Sequence, residues 1–192
     1  MEEEKSIEVY KAEDFRSWLK KNHVKENTVT VILHKKHTGK MNTNTAELMK
    51  EAICFGWIDT TAKRVDEDRW SIRYRKRTPK SNWSYNTLRY ARELMKKGLM
   101  SPEGIKWYKQ GLNKKPHDFG IPSNPEMPSE LKKELEKKKN KKAMERFEKL
   151  SPSVKKTYYR WVLRAKLPET RRKRIGGIIR GNDIGWQSKA NL

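Results

Sequence analysis

The chain has 192 residues, 36% of them Asp, Glu, Lys or Arg, and carries a net charge of +22. Hydrophobic residues reach only 34%, but seven Trp, seven Tyr and four Phe supply enough bulk for a modest core and exclude wholesale disorder. The single cysteine excludes an internal disulfide. No apolar run approaches a membrane span, and the acidic start MEEEKSIEVY lacks the pattern of a signal peptide, so a cytoplasmic location is expected. The charge excess points to an anionic partner, with plain solubility as the competing explanation.

In chain order, EDFRSWLKKN places Phe15, Trp18 and Leu19 on one face of a short helix. TVTVILHKK, residues 28–36, alternates Val29, Val31 and Leu33 as a strand, with His34, Lys35 and Lys36 running out into solvent. A helix capped by Thr45 carries Leu48, Met49, Ala52 and Ile53 inward and ends at Gly56. WIDTTAKRV and RWSIRYRKR, joined by Asp66-Glu67-Asp68, read as a hairpin. In its second strand Trp70, Ile72 and Tyr74 share one face, and Arg69, Arg73, Arg75 and Arg77 the other. Two further helices follow, the second opened by Ser101-Pro102. Pro116, Pro122, Pro125 and Pro128 mark a linker, and the remainder reads as basic helices. The fold class expected is α+β: a small antiparallel sheet flanked by helices over 1–115, a proline-rich linker at 116–128, a helical basic segment at 129–182 and a loose tail at 183–192.

At this point the residues resemble a known family. FRSWLKKN, VILHKKHTGK, EAICFGWIDTTAKRVDEDRWSIRYRKRTPKSNWS, GLMSPEG and SPSVKKTYYRWVLRAKLPETRRKRI are similar to the YdeI/OmpD-associated, or bacteriocin-protection, family, over a span from about Phe15 to Ile179. The resemblance implies a role in protection from bacteriocins and stress at the envelope. It implies no reaction, cofactor or catalytic residue. The residues after Ile175 depart from the family's more regular, alanine-rich ending.

No strong catalytic or phosphate-binding motif is present. Cys54 falls at a helix C-terminus, where the dipole disfavours a thiolate, and is expected to be buried and inert. His34 and His37 lack the further ligands that a zinc site needs. Asp59 reads as a paired or capping carboxylate, with Lys63 four residues on and so on the same strand face. The expectation is therefore no enzyme activity, no metal and no cofactor, with an unrecognised site near Cys54 and Asp59 as one alternative.

The basic clusters are the stronger signal. Lys63, Arg64, Arg69, Arg73, Arg75 and Arg77 surround the hairpin, and Lys155, Arg160, Arg164, Arg171, Arg172 and Arg174 lie on the last helices. Arginine suits phosphate oxygens, and Trp83, in the polar SNWS element, is the best candidate for an exposed stacking ring. These residues are expected to form a nucleic-acid surface, for DNA before RNA, working through phosphate contacts with little base reading. An anionic membrane surface or a protein partner are the other candidates, and the family resemblance supplies the alternative function: stress or antimicrobial protection through a protein or envelope partner.

Overall fold

The computed structural model describes residues 5–40 and 43–181, and the loose tail expected at 183–192 lies outside them. The chain divides into two compact units between His117 and Asp118, within the expected linker. The described residues of 116–128 contain no helix or strand.

The first unit runs β1 (Ser6–Glu8), α1 (Ala12–Asn22), β2 (Thr28–His34), α2 (Thr45–Cys54), β3 (Trp57–Arg64), β4 (Arg69–Lys76), α3 (Tyr85–Lys96) and α4 (Pro102–Leu112). Its four-stranded sheet has the order β1-β2-β4-β3. The expected hairpin is β3–β4, and β2 pairs antiparallel with β4. Its register sets Val29 opposite Tyr74, Val31 opposite Ile72 and Leu33 opposite Trp70. All six side chains are buried, so the alternation of β4 does identify its core face. Phe15 and Leu19 of α1, Leu48 and Ile53 of α2, and Ala91 of α3 complete this core. The opposite face carries Arg73 and Arg75 beside Thr61 and Lys63, all exposed.

Three local expectations are corrected. A short parallel strand, β1, adds to the edge of β2 and makes the sheet mixed. The end of β2 does not run straight into solvent: His34 is 5% exposed and Lys35 7%, and of His34, Lys35 and Lys36 only Lys36 is exposed. His34 Nε2 meets Glu8 Oε1 at 2.7 Å, and the Tyr10 ring stacks on the imidazole at 5.3 Å. Bonds from His34 and then Tyr10 hold the Glu8 carboxyl below the usual range. Second, a bulge between Asp59 and Thr61 shifts the pairing and flips the faces beyond it. Asp59 sits opposite core-facing Tyr74, whereas Lys63 sits opposite Ser71, so the two lie on opposite faces. Third, α2 is capped by Asn44, one residue before Thr45; its side chain accepts from the Ala46 and Glu47 amides.

The stretch Cys54-Phe55-Gly56-Trp57 is where the elements of this unit meet. Gly56 takes φ 73°, turning α2 into β3, a conformation that favours glycine. The Cys54 carbonyl accepts from the Ser101 amide at 2.9 Å and from Ser101 Oγ at 3.0 Å. Ser101 also caps α4, accepting from the Gly104 amide. α4 therefore begins against the end of α2, and Gly104 makes that approach feasible, since a Cβ there would overlap the Cys54 carbonyl.

The second unit contains α5 (Ser129–Leu135), α6 (Lys141–Glu148), α7 (Pro152–Leu163) and α8 (Pro168–Arg180). Leu131, Leu135, Phe147, Tyr158, Val162, Ile175 and Ile178 form its core. The glycines at 176 and 177 do not break α8, which continues to Gly181 at φ 75°. No helix among the described residues is long and apolar enough to cross a membrane.

The α2–α4 joint gives a sign test. Gly→Ala inside a helix ordinarily stabilises by about 1 kcal/mol. Gly104→Ala should instead destabilise by about 1–3 kcal/mol, as an overpacked core position does, seen as a lower urea midpoint with an unchanged slope.

Candidate functional site

The hairpin carries its basic residues in two different ways. Lys63, Arg64, Arg73 and Arg75 are exposed. Arg69 is pinned to Asp66 through Nε at 2.8 Å and Nη2 at 2.7 Å, which raises the guanidinium and lowers the carboxyl. Arg64 Nε donates to the Asp66 carbonyl at 3.1 Å. Arg77 lies just past the end of β4 and is only 3% exposed. Its guanidinium lies 3.6 Å over the Trp83 ring, and Nη1 donates to the Asn82 carbonyl at 3.0 Å. Burial pulls it down to about 10, against the opposing charge of Asp59.

Trp83 is likewise 3% exposed, which corrects the expectation of a free stacking ring. The ring fits between Arg77 and the bare backbone of Gly111, where a Cβ would stand 2.5 Å from the indole Nε1. Tyr108 meets it edge-on at 6.4 Å, and the Trp83 carbonyl accepts from the His117 amide. The polar letters around Trp83 serve turn and cap hydrogen bonds, as where Ser84 Oγ accepts from the Thr87 amide, so they do not mark exposure.

The arginines of the second unit are held in the same fashion. Arg160 bonds the Pro122 carbonyl at 2.8 Å and buried Asp118 at 3.2 Å. Arg171 donates to Glu130 at 2.9 Å and to the Ala165 carbonyl at 3.2 Å. Arg174 covers the Trp161 ring at 5.2 Å and bonds its carbonyl. Arg164 has a buried Nε without a partner; burial lowers its guanidinium, and the charges of Arg160 and Arg174 lower it further. Lys155 donates to the Glu148 carbonyl at 2.9 Å. Arg172 stays exposed. Arg160, Arg164 and Arg174 thus come together electrostatically, yet Arg160 and Arg174 also tie side chains and carbonyls of their own unit.

The Cys54 side chain is fully buried, and burial pushes its thiol up. Arg16 is its polar neighbour and is itself engaged, with Glu51 at 2.6 Å, the Leu99 carbonyl at 2.8 Å and the Phe55 ring at 5.5 Å. No group of three or more potential metal ligands occurs among the described residues.

Sequence reasoning passes over a groove on the second unit, of about 430 Å³, between α5 and α8. Ile175, Gly176 and Ile179 form its floor, and Lys133, Lys139, Arg172 and Arg180 surround it. The signal available was Gly176 between two isoleucines one turn apart, Ile175 and Ile179, a pattern that does not by itself mark a recess.

What the geometry defines is a two-unit α+β protein in which one buried and several half-buried arginines brace its own loops and helix ends. Residues 7–107 match a family model described as "Domain of unknown function (DUF8412)", and the chain belongs to that family. Residues 124–180 match the model "Bacteriocin-protection, YdeI or OmpD-Associated". The bacteriocin-protection resemblance is therefore borne out in the second unit, while the first has a family model of its own. No curated protein and no solved structure matches the chain. The match at 124–180 overturns DNA binding as the function, because the segment that carries half of the expected basic surface matches a family model described by protection. Within the expected surface, Arg77 and Trp83 are buried against each other, so neither presents a free face.

Two outcomes follow from this packing. Trp83→Ala should cost about 3–5 kcal/mol in unfolding experiments, as buried aromatic truncations do; a change near zero would mean that the ring is free. Cys54 should react with a thiol reagent at neutral pH only when denaturant opens the fold, so labelling of the native chain at the rate of a free thiol would contradict its burial.

Proposed function

We propose that this chain is a stress- or antimicrobial-protection protein that works without catalysis, by binding a protein or envelope partner. The observation that carries the reading is the match of residues 124–180 to the bacteriocin-protection family. Two features support it. Most of the candidate arginines in the second unit are committed to internal contacts, which leaves partner recognition to the remaining surface. That surface includes a recessed groove with exposed cations around an apolar floor, an arrangement suited to recognition.

The test is survival. The full chain, expressed in a bacteriocin-sensitive bacterium, should raise the surviving fraction under bacteriocin challenge above that of an empty-vector control. Equal survival, with the chain shown to be folded and abundant in those cells, would sink the proposal.

A further inference from the structure

The α5–α8 groove combines an apolar floor with an uncompensated basic rim. Ile175 and Ile179 are one helical turn apart on α8 and so share a face, with Gly176 beside them lowering the floor to bare backbone. Arg180 lies over that glycine: a Cβ on Gly176 would come to 3.2 Å from its Nη1. Two carboxylates also line the groove, but cations outside the lining neutralise both. Arg171 bonds Glu130 at 2.9 Å and holds its carboxyl below the usual range, and Lys137 bonds Glu134. Lys133, Lys139, Arg172 and Arg180 keep no acidic partner among the described residues.

From this arrangement we infer that the groove is a docking site for an acidic peptide segment of a protein partner. One large apolar side chain of that segment rests on Ile175, Gly176 and Ile179, and flanking carboxylates pair with the rim cations. The inference rests on the protein-partner form of the proposed function. The volume of about 430 Å³ suits an anchor side chain with its neighbours, since ligand pockets begin near 300 Å³. A membrane surface fits less well. Interfacial elements press protruding apolar side chains into the lipid boundary, whereas here the apolar surface is recessed behind a charged rim.

The experiment uses the full chain and a short fluorescent peptide with a central Leu-Trp pair flanked by Glu, read by fluorescence anisotropy. The same peptide with Lys in place of Glu is the control. The Glu peptide should bind, more weakly as salt rises, and the Lys peptide should not. Gly176→Leu fills the floor with a better helix former, and its Cβ meets only the far end of the Arg180 side chain. It should weaken binding about tenfold or more, the loss expected when burial of an apolar anchor is denied. The exposed pair Lys139→Glu and Arg172→Glu should weaken it similarly, which keeps the test open should Gly176→Leu fail to fold by circular dichroism. Peptide binding unchanged in the folded variants, or no peptide binding at all, would overturn the inference. Binding to anionic phospholipid vesicles in place of the peptide would also overturn it, in favour of a lipid surface. If the chain protects cells but does not bind the peptide, the groove assignment falls alone; if it binds the peptide but does not protect, the protection reading falls alone.

Discussion

The first unit depends on one backbone junction, the turn from α2 into β3 at Cys54–Trp57. The Cys54 carbonyl, left over at a helix end, is satisfied by the amide and hydroxyl of Ser101, which fixes where α4 begins. Two residues on, the Gly56 carbonyl accepts from the Arg77 amide at 2.8 Å, which fixes where β4 hands over to the chain carrying Trp83. The same glycine lets Trp107 of α4 come close, since a Cβ at Gly56 would stand 2.5 Å from its ring. A stretch whose cysteine invites a catalytic reading is thus a junction. The thiol lies in the core of the unit, and the carbonyl beside it holds the start of another helix.

Arginine does a recurrent job in both units. Arg16 reaches the Leu99 carbonyl, Arg77 that of Asn82, Arg146 that of Ile179, Arg160 that of Pro122 and Arg171 that of Ala165. These are carbonyls of loops and helix ends, where intrahelical or ladder partners are missing. The guanidinium suits this use because it has five donors in one plane and its faces stack on aromatic rings, as with Arg77 on Trp83 and Arg174 on Trp161. In a chain with only 34% hydrophobic residues, such plates replace part of the apolar packing. Several arginines of the clusters that read as polyanion binding, Arg77, Arg160, Arg171 and Arg174, serve this internal bracing.

That explains which features were legible. Period-two burial in β2 and β4, the hairpin and the Ser101-Pro102 helix start depend on neighbouring residues, so their pattern stands in the sequence. β1 does not, because three residues, Ser6 to Glu8, carry no detectable period, and only pairing with β2 makes them a strand. The bulge at Thr60 is likewise invisible, though it decides which face Lys63 occupies. Arg77 misled for a related reason: alternation groups it with Arg73 and Arg75, but β4 ends at Lys76 and the next side chain packs against Trp83. The groove was hidden because its charge depends in part on a partner distant in sequence, Arg171 for Glu130, besides the local pairing of Lys137 with Glu134.

Bracing by carbonyls has an electrostatic consequence. A guanidinium bonded to a carboxylate cancels a charge, whereas one bonded to a carbonyl does not. The contacts of Arg77 and Arg174 therefore steady the fold while leaving the net charge of +22 in place, with its self-repulsion. An anionic partner relieves that repulsion in addition to the contacts it makes, and a partner that binds only the folded chain stabilises it by mass action. The groove rim is a natural place for that coupling. Its own acids are already neutralised, so a carboxylate brought by a partner meets cations without local competitors. At the proposed docking site the same charges would join recognition to stability, and the apolar floor would supply the discrimination that charge alone does not.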